Sequence, residues 1–458
     1  MRTETQDTGH SERLSLRTKL TYGLGDHTIN LTLSVLSLFY LFFLTEHAGL
    51  RPALASAVLL VGRGIDAFSD PLMGRLSDLT RSRWGRRRPY FLFGCIPFGI
   101  CFALLWSGAP LESQLVKFAY YASLYSLYSL ASTVLAVPYI ALLPELTSDY
   151  QERTSLSSFR SAFAVSGTLV AAVTTRPLVA TFGGEAAGFA WMGVLFGIWV
   201  ALPWFMVFLA TREREHKPSE KPRASFAHGL RLLARHNTYR RLCGMYLFGR
   251  MAMDVAGAMF IYYFDYWLQR PGDHPIALGS VMLVSILSLP LWLRIARHTD
   301  KHQAMIAGAA WWIFLQIAIV IIQPDWPRWI VFACAACTGV SFAVLDLMPW
   351  SMLADVIDED ELRSGERREG LYAGFFMFLR KLSGAGAVAA AGIILDLSGY
   401  VPKAAAEPAV LLSIRGLTGA LPALLLACSI AFALRYPLSR AAHAAVQRQL
   451  AARRTSQA

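Results

Sequence analysis

Charged residues are scarce in this 458-residue chain, at 16% of the total, and the acidic ones are outnumbered by the basic ones, 31 to 43. A soluble chain of this length carries more charge. Histidine and cysteine are also few, 10 and 6. There is no HExxH or Walker motif, and the only close histidines, His298 and His302, flank Asp300 in an expected loop. A catalytic centre needs convergent nucleophile, base or metal-ligand groups, and the reading is therefore against an enzyme or a resident metal. Cys334-Ala-Ala-Cys337 has redox or zinc spacing, but it lies in the apolar run Ile330 to Val340 and is read as packing. No basic face is interleaved with stacking aromatics, which excludes nucleic acid as a partner. Residues 1–16 are polar, without the apolar core of a cleaved signal, so the first span is expected to direct insertion.

What the chain has is apolar length. Hydrophobic residues make up 55%. Runs of roughly 20 residues suffice to cross the ~30 Å hydrocarbon layer as helices. The runs are continuous rather than alternating, which excludes a barrel. Twelve spans are expected, at 22–44, 52–76, 90–108, 117–143, 160–181, 187–210, 240–267, 275–296, 304–323, 328–350, 372–396 and 408–434. This is an all-α membrane protein of two six-helix halves, 22–210 and 240–434.

Arginine clusters set the expected orientation. Arg81, Arg83 and Arg86 to Arg88 follow span two, a basic linker occupies 211–239, and a basic tail fills 435–458, whereas the opposite loops are poor in Lys and Arg. Basic loops stay cytoplasmic, so both termini, including segment 1–21, are expected inside. Residues 226–236 and the tail after Arg440 read as amphipathic surface helices.

The halves echo each other. Pro138-Tyr139-x-x-Leu142 ends span four and Pro349-Trp350-x-x-Leu353 ends span ten. Repeated halves around a midplane site are the build of alternating-access carriers.

Ionisable groups in lipid are costly and point to function. Asp66 and Asp70 in span two are four apart and share a helix face. Two carboxylates on one face repel unless a cation or proton joins them. That is the chemistry of a coupling site, with Ser69 adding a hydroxyl. The alternative is that Arg63 neutralises Asp66 and the cluster only ties helices together. Asp26, His27 and Asn30, the i,i+4 pair Arg250 and Asp254, Asp346, and Arg380-Lys381 are further buried candidates, and Arg160 opens span five. The aromatics at Tyr120, Tyr121, Tyr125, Tyr128, Tyr262, Tyr263 and Tyr266 are read mainly as interfacial belts.

Asp66-Ala-Phe-Ser-Asp70-Pro-Leu-Met-Gly74, followed by Thr80-Arg-Ser-Arg-Trp84-Gly85-Arg-Arg-Arg-Pro89, resembles the glycoside–pentoside–hexuronide:cation symporters of the major facilitator superfamily. Thr18 to Gly25, Ile261 to Phe264, Ala354 to Asp358, Arg367 to Gly370 and Gly399 to Pro402 fit the same family, and the resemblance covers nearly the whole chain. It implies a twelve-helix alternating-access carrier, a monomer in a bacterial inner membrane, with a monovalent coupling cation, Na⁺ or H⁺, and no other cofactor. By the resemblance Asp66, Ser69, Asp70 and Thr133 bind the cation, and Arg160 and Lys381 serve the solute. Asp78, Arg81 and the run Arg86 to Arg88 resemble the gating loop between spans two and three. The family's galactoside carriers hold sugar hydroxyls with acids in spans one and four, where this chain has Asn30, Ala136 and Ile140. With Asp254 and Asp346, these complete the candidate solute residues. The default solute is a sugar or glycoside. The apolar Ala136 and Ile140 lean toward the amphipathic lipids carried by related lysophospholipid symporters, and a non-transporting sensor is the reading from another class.

Overall fold

The computed structural model of the chain describes residues 14–147, 149–184, 186–213, 235–365, 368–404 and 407–457. All but the last two residues of the surface helix expected at 226–236 lie outside the described residues, as does most of the linker. The described regular structure is entirely helical.

Helix α1 runs Leu16–Val35 and continues through π-helical turns at Leu36–Tyr40 and Phe43–His47. The first half continues with α2 (Pro52–Leu79), α3 (Arg88–Leu105), α4 (Gln114–Leu146), α5 (Tyr150–Thr181) and α6 (Ala186–Ala210). The second half opens with α7 (Asn237–Tyr262), which also ends in a π turn, Tyr263–Trp267. It continues with α8 (His274–His298), α9 (Lys301–Ile321), α10 (Arg328–Ser364), α11 (Glu369–Leu397) and α12, which spans Pro408–Arg415, a π turn and Leu421–Ala433. A tail helix α13 covers Arg440–Gln457.

Ten of these helices are long and apolar enough to cross a bilayer. The other two long rods, α1 and α7, hold corresponding places at the start of each half and carry buried polar groups. The helices outrun the hydropathy. α10 reaches Ser364 rather than 350, and α5 starts at Tyr150 rather than 160. Apolar runs mark the lipid thickness, whereas helix ends are set by caps. Asp149 Oδ1 accepts the Glu152 N–H at 2.8 Å, and Gly365 ends α10 with φ of 75°.

The two halves share one packing plan. α1 lies on α5, α2 on α4 and α3 on α6; likewise α7 lies on α11, α8 on α10 and α9 on α12. At Gly167 of α5 a Cβ would run into the His27 backbone carbonyl, so the α1–α5 seam needs glycine there. Tyr22 stacks on Tyr139 with centroids 4.4 Å apart, and Tyr246 faces Trp350 at 6.2 Å, matching the Pro-aromatic repeat read from the sequence. The halves meet where α2 packs on α11 and α5 on α8.

Candidate cation and solute site

The 28-residue helix α2 turns Asp66 and Asp70 toward α4, where hydroxyls stand at matching helical spacing. Ser129 donates to Asp66 Oδ1 and to the Gly62 carbonyl, the latter at 3.1 Å. Thr133, one turn further on, donates to Asp70 Oδ1 at 2.8 Å, and Ser69 Oγ lies 3.2 Å from Thr133 Oγ1. The four residues expected at the cation site are thus adjacent. Ser129 joins them and was not anticipated. Its signal was available, since Ser129 and Thr133 share the four-residue spacing of Asp66 and Asp70.

Positive charge already sits on this cluster. Lys381 of α11, in the opposite half, places Nζ 2.5 Å from Asp70 Oδ2 and 3.8 Å from Asp66 Oδ2. Arg63 Nη1 stands 3.6 Å from Asp66 Oδ2. The neutralising arginine weighed in the sequence is therefore real, but the closest cation is the lysine. Its ammonium bridges the two carboxylates. Lys381 therefore lies at the acid pair, rather than apart from it with the solute candidates.

Ala136 and Ile140 continue the Ser129–Thr133 stripe as its apolar end. In α1, Asn30 Nδ2 donates to the Asp26 backbone carbonyl at 2.8 Å. Arg160 lies ten residues inside α5, not at its opening. It grips both oxygens of Asp26, Nη2 at 3.2 Å, and its guanidinium lies 5.1 Å from the Tyr139 ring. The Tyr139 hydroxyl donates to the same carboxylate at 3.0 Å. Arg160 is thus spent on Asp26, because a buried charge pairs wherever it can.

In the second half Arg250 holds Asp254 through two bonds, 2.9 and 3.3 Å, and reaches Asp346 Oδ1 of α10 at 3.3 Å. Gly384 of α11 abuts the Asp254 carboxylate, and a larger residue there would displace it. The i,i+4 pair read from the sequence satisfies itself and extends to a third residue.

At the end carrying the termini, Glu145 of α4 accepts Arg86 at 2.8 Å and Arg87 at 2.9 Å, and Arg87 also meets Asp78 at 3.3 Å. Glu213 takes the backbone N–H groups of Arg86, Arg87 and Arg88 at 2.6 to 2.8 Å, an anion seated on the N-terminus of α3. Arg81, expected beside Asp78 and Arg86, is instead exposed and outside this cluster. It lies beyond the end of α2, where the chain turns away from the acids. Arg87 belongs to the Arg86–Arg88 run read from the sequence, and Glu145 is the member the sequence did not assign to this loop. Nearby, Lys19 pairs with Glu152 at 2.9 Å and holds its carboxyl below the usual range.

At the opposite end the halves are fastened together. Tyr266 donates to Glu46 at 2.6 Å, the Lys403 N–H reaches Glu46 at 3.2 Å, and Thr45 and Tyr262 share a hydrogen bond of 2.7 Å. Arg176 pairs with Asp265 at 2.6 Å and donates to the Pro271 carbonyl at 3.1 Å.

A helical bundle of two paired halves with buried charges has counterparts among solved structures. The structure superposes on that of a D-xylose–proton symporter with a TM-score of 0.69 at 13% identity, covering 92% of this chain and 98% of that one, which establishes the shared fold. Residues 21–440 match the family described as MFS/sugar transport protein, and the chain belongs to that family. It is 31% identical to the inner membrane symporter YicJ of Escherichia coli (strain K12), over 88% of this chain and 87% of that one. It is 30% identical to the putative glycoside/cation symporter YagG of the same organism, over 97% of each chain. It is 26% identical to the sodium-dependent lysophosphatidylcholine symporter 1-A of Danio rerio, over 93% of this chain and 86% of that one. The protein is a multi-pass membrane transporter of the secondary type.

Proposed function

We propose that the chain carries a sugar or glycoside-type solute into the cell by symport with a monovalent cation, Na⁺ ahead of H⁺. The observation that carries this is the mid-depth cluster of Asp66, Asp70, Ser69, Ser129 and Thr133, closed from the other half by Lys381. A cation reaching the two carboxylates takes over the charge that Lys381 supplies. The lysine then withdraws, and the tie between α2 and α11 loosens. The halves 22–210 and 240–434 move as two bodies about this point, exposing the solute site to one side at a time. Both termini lie in the cytoplasm and the working unit is a monomer. The contacts at Glu46, Tyr266, Arg176 and Asp265 form the outer gate, closed in this state. Asp78, Arg86, Arg87 and Glu145 shape the inner one.

The solute class follows from the names of the relatives and from the polar groups at Arg250, Asp254, Asp346 and Asn30. The second reading, an amphipathic lipid, is favoured by Ala136 and Ile140, which make part of α4 apolar where a polyol would want partners. Uptake into proteoliposomes under an imposed Na⁺ or pH gradient, with pyranosides and lysophosphatidylcholine as solutes, tests both readings. The expected result is pyranoside uptake driven by the Na⁺ gradient and lost in Asp66→Asn. Uptake that ignores both gradients and survives Asp66→Asn refutes cation coupling.

A further inference from the structure

The mid-depth carboxylates differ in how much of each is already used. Asp26 has both oxygens on Arg160 and a third bond from Tyr139. Asp254 has both oxygens on Arg250. Asp66 is held by Ser129, Arg63 and Lys381, and Asp70 by Thr133 on one oxygen and Lys381 on the other. Asp346 stands apart. Its Oδ1 takes one 3.3 Å bond from Arg250, its Oδ2 takes none among the described residues, and its side chain is 48% exposed. It lies at the centre of α10, far from either helix end. An ionised group at that depth faces an aqueous space inside the bundle rather than lipid.

From this we infer that Asp346 is the residue that reads the hydroxyls of the solute, and that the solute is a neutral polyol with adjacent hydroxyl groups. The inference rests on the symporter reading above and deepens it. A free carboxylate oxygen has two lone-pair directions and no donor of its own. It accepts from two neighbouring hydroxyls of a pyranose and repels a carboxylate or phosphate. Arg250 fixes the acceptor in place. It is itself anchored by Asp254, so the guanidinium is not free to swing onto the Asp346 oxygen that faces open space. Trp350, one turn along α10, is part-buried against Tyr246 and Phe376 and offers a flat apolar surface on the same helix face. In the first half Ala136 and Ile140 have no polar atoms in their side chains to share this role.

The experiment measures binding to the purified full chain in Na⁺, by titration calorimetry. The probes are the methyl β-pyranosides of glucose, galactose and xylose, the monodeoxy analogues of whichever binds best, and methyl β-glucuronide. In the wild type, removing one of two adjacent hydroxyls is expected to weaken binding roughly tenfold to a hundredfold, the range for a hydrogen bond to a charged group. The glucuronide should bind less well than the glucoside. Asp346→Asn should lose tenfold or more for the parent sugar and should no longer distinguish it from that deoxy analogue. The response of its melting temperature to Na⁺ should persist, showing that the protein is folded and its acid pair intact. Unchanged discrimination in Asp346→Asn, with Na⁺ still promoting binding, overturns the role of Asp346 and leaves the symporter reading standing. Preferred binding of the glucuronide overturns the neutral-polyol assignment. Failure of every pyranoside to bind overturns the inference together with the carbohydrate reading on which it rests.

Discussion

Replacing Lys381 with methionine removes the charge on the acid pair while keeping the length of the side chain. The ammonium lies 2.5 Å from Asp70 and 3.8 Å from Asp66. At about 4 Å and an effective dielectric near 20, one such pair is worth about 4 kcal/mol. Lys381 and Asp70 are each about one-third exposed, at 35% and 33%, so water screens much of this. Roughly 2 kcal/mol remains as the advantage that an incoming ion must overcome. Two outcomes follow for Lys381→Met. Without a coupling ion the variant melts below the wild type, because Asp66 and Asp70 repel. With the ion, half-saturation falls by about tenfold to thirtyfold, since each ~1.4 kcal/mol is a factor of ten. The assay is thermal unfolding of detergent-purified protein across a Na⁺ series at constant ionic strength balanced with choline, repeated across pH for H⁺. An unchanged or weakened ion response in Lys381→Met refutes the idea that lysine and ion compete for one place.

The hydroxyls should matter less than the acids. Ser129→Ala and Thr133→Ala are each expected to weaken ion binding by about 1.5–3 kcal/mol, the range for a hydrogen bond to a charged group, whereas Asp70→Asn abolishes it in the same titration. His236 caps α7 by accepting the Tyr239 N–H at 3.1 Å on Nδ1, and burial pushes its pKa below the usual histidine value. The folded state therefore favours the neutral ring. The stability this gives is full above the ordinary histidine pKa near 6.5 and is lost as pH falls below it. Protection of the amides at the start of α7, referred to their intrinsic exchange rate at each pH, should fall between pH 7.5 and 5, and His236→Asn, which caps without titrating, should flatten that dependence. Gly167→Leu forces side-chain atoms into the α1 backbone at His27 and is expected to cost at least about 1–3 kcal/mol, read as lost melting temperature. Arg176→Gln combined with Glu46→Gln removes two fastenings of the proposed outer gate, and faster amide exchange at Tyr263–Trp267 should report the loosened end.

The sequence was most informative where physics acts locally. Lipid thickness is written into the apolar runs, and four-residue spacing by itself puts Asp66 and Asp70 on one helix face. Ser69 was legible as a hydroxyl beside them, whereas Thr133 was reached only through family resemblance, and the structure sets both beside the acids. What stayed hidden depended on which chain segments meet. Lys381 and Asp70 are 311 residues apart, and no local pattern announces their contact. Arg160 looked free because its partner, Asp26, lies 134 residues away in another helix. Arg81 was grouped with Asp78 and Arg86 through the resemblance to the family's gating loop. Yet a basic loop satisfies topology as well as gating, and Arg87 is the residue whose position lets it bridge Asp78 and Glu145.

The two helices that begin the halves, α1 and α7, both finish in π-helical turns, and it is these turns that carry Thr45 and Glu46 on one side and Tyr266 on the other. A π turn holds one residue more than an α turn. If that surplus residue slides along the helix, every side chain between its old and new positions rotates by about 100° while the ends of the helix stay in place. Glu46 would swing away from Tyr266, and Thr45 from Tyr262, together. On the proposed gating scheme, part of the closure at this end is held by winding. It would be undone by transferring a single residue of twist, with no helix unfolding and no long displacement of its ends.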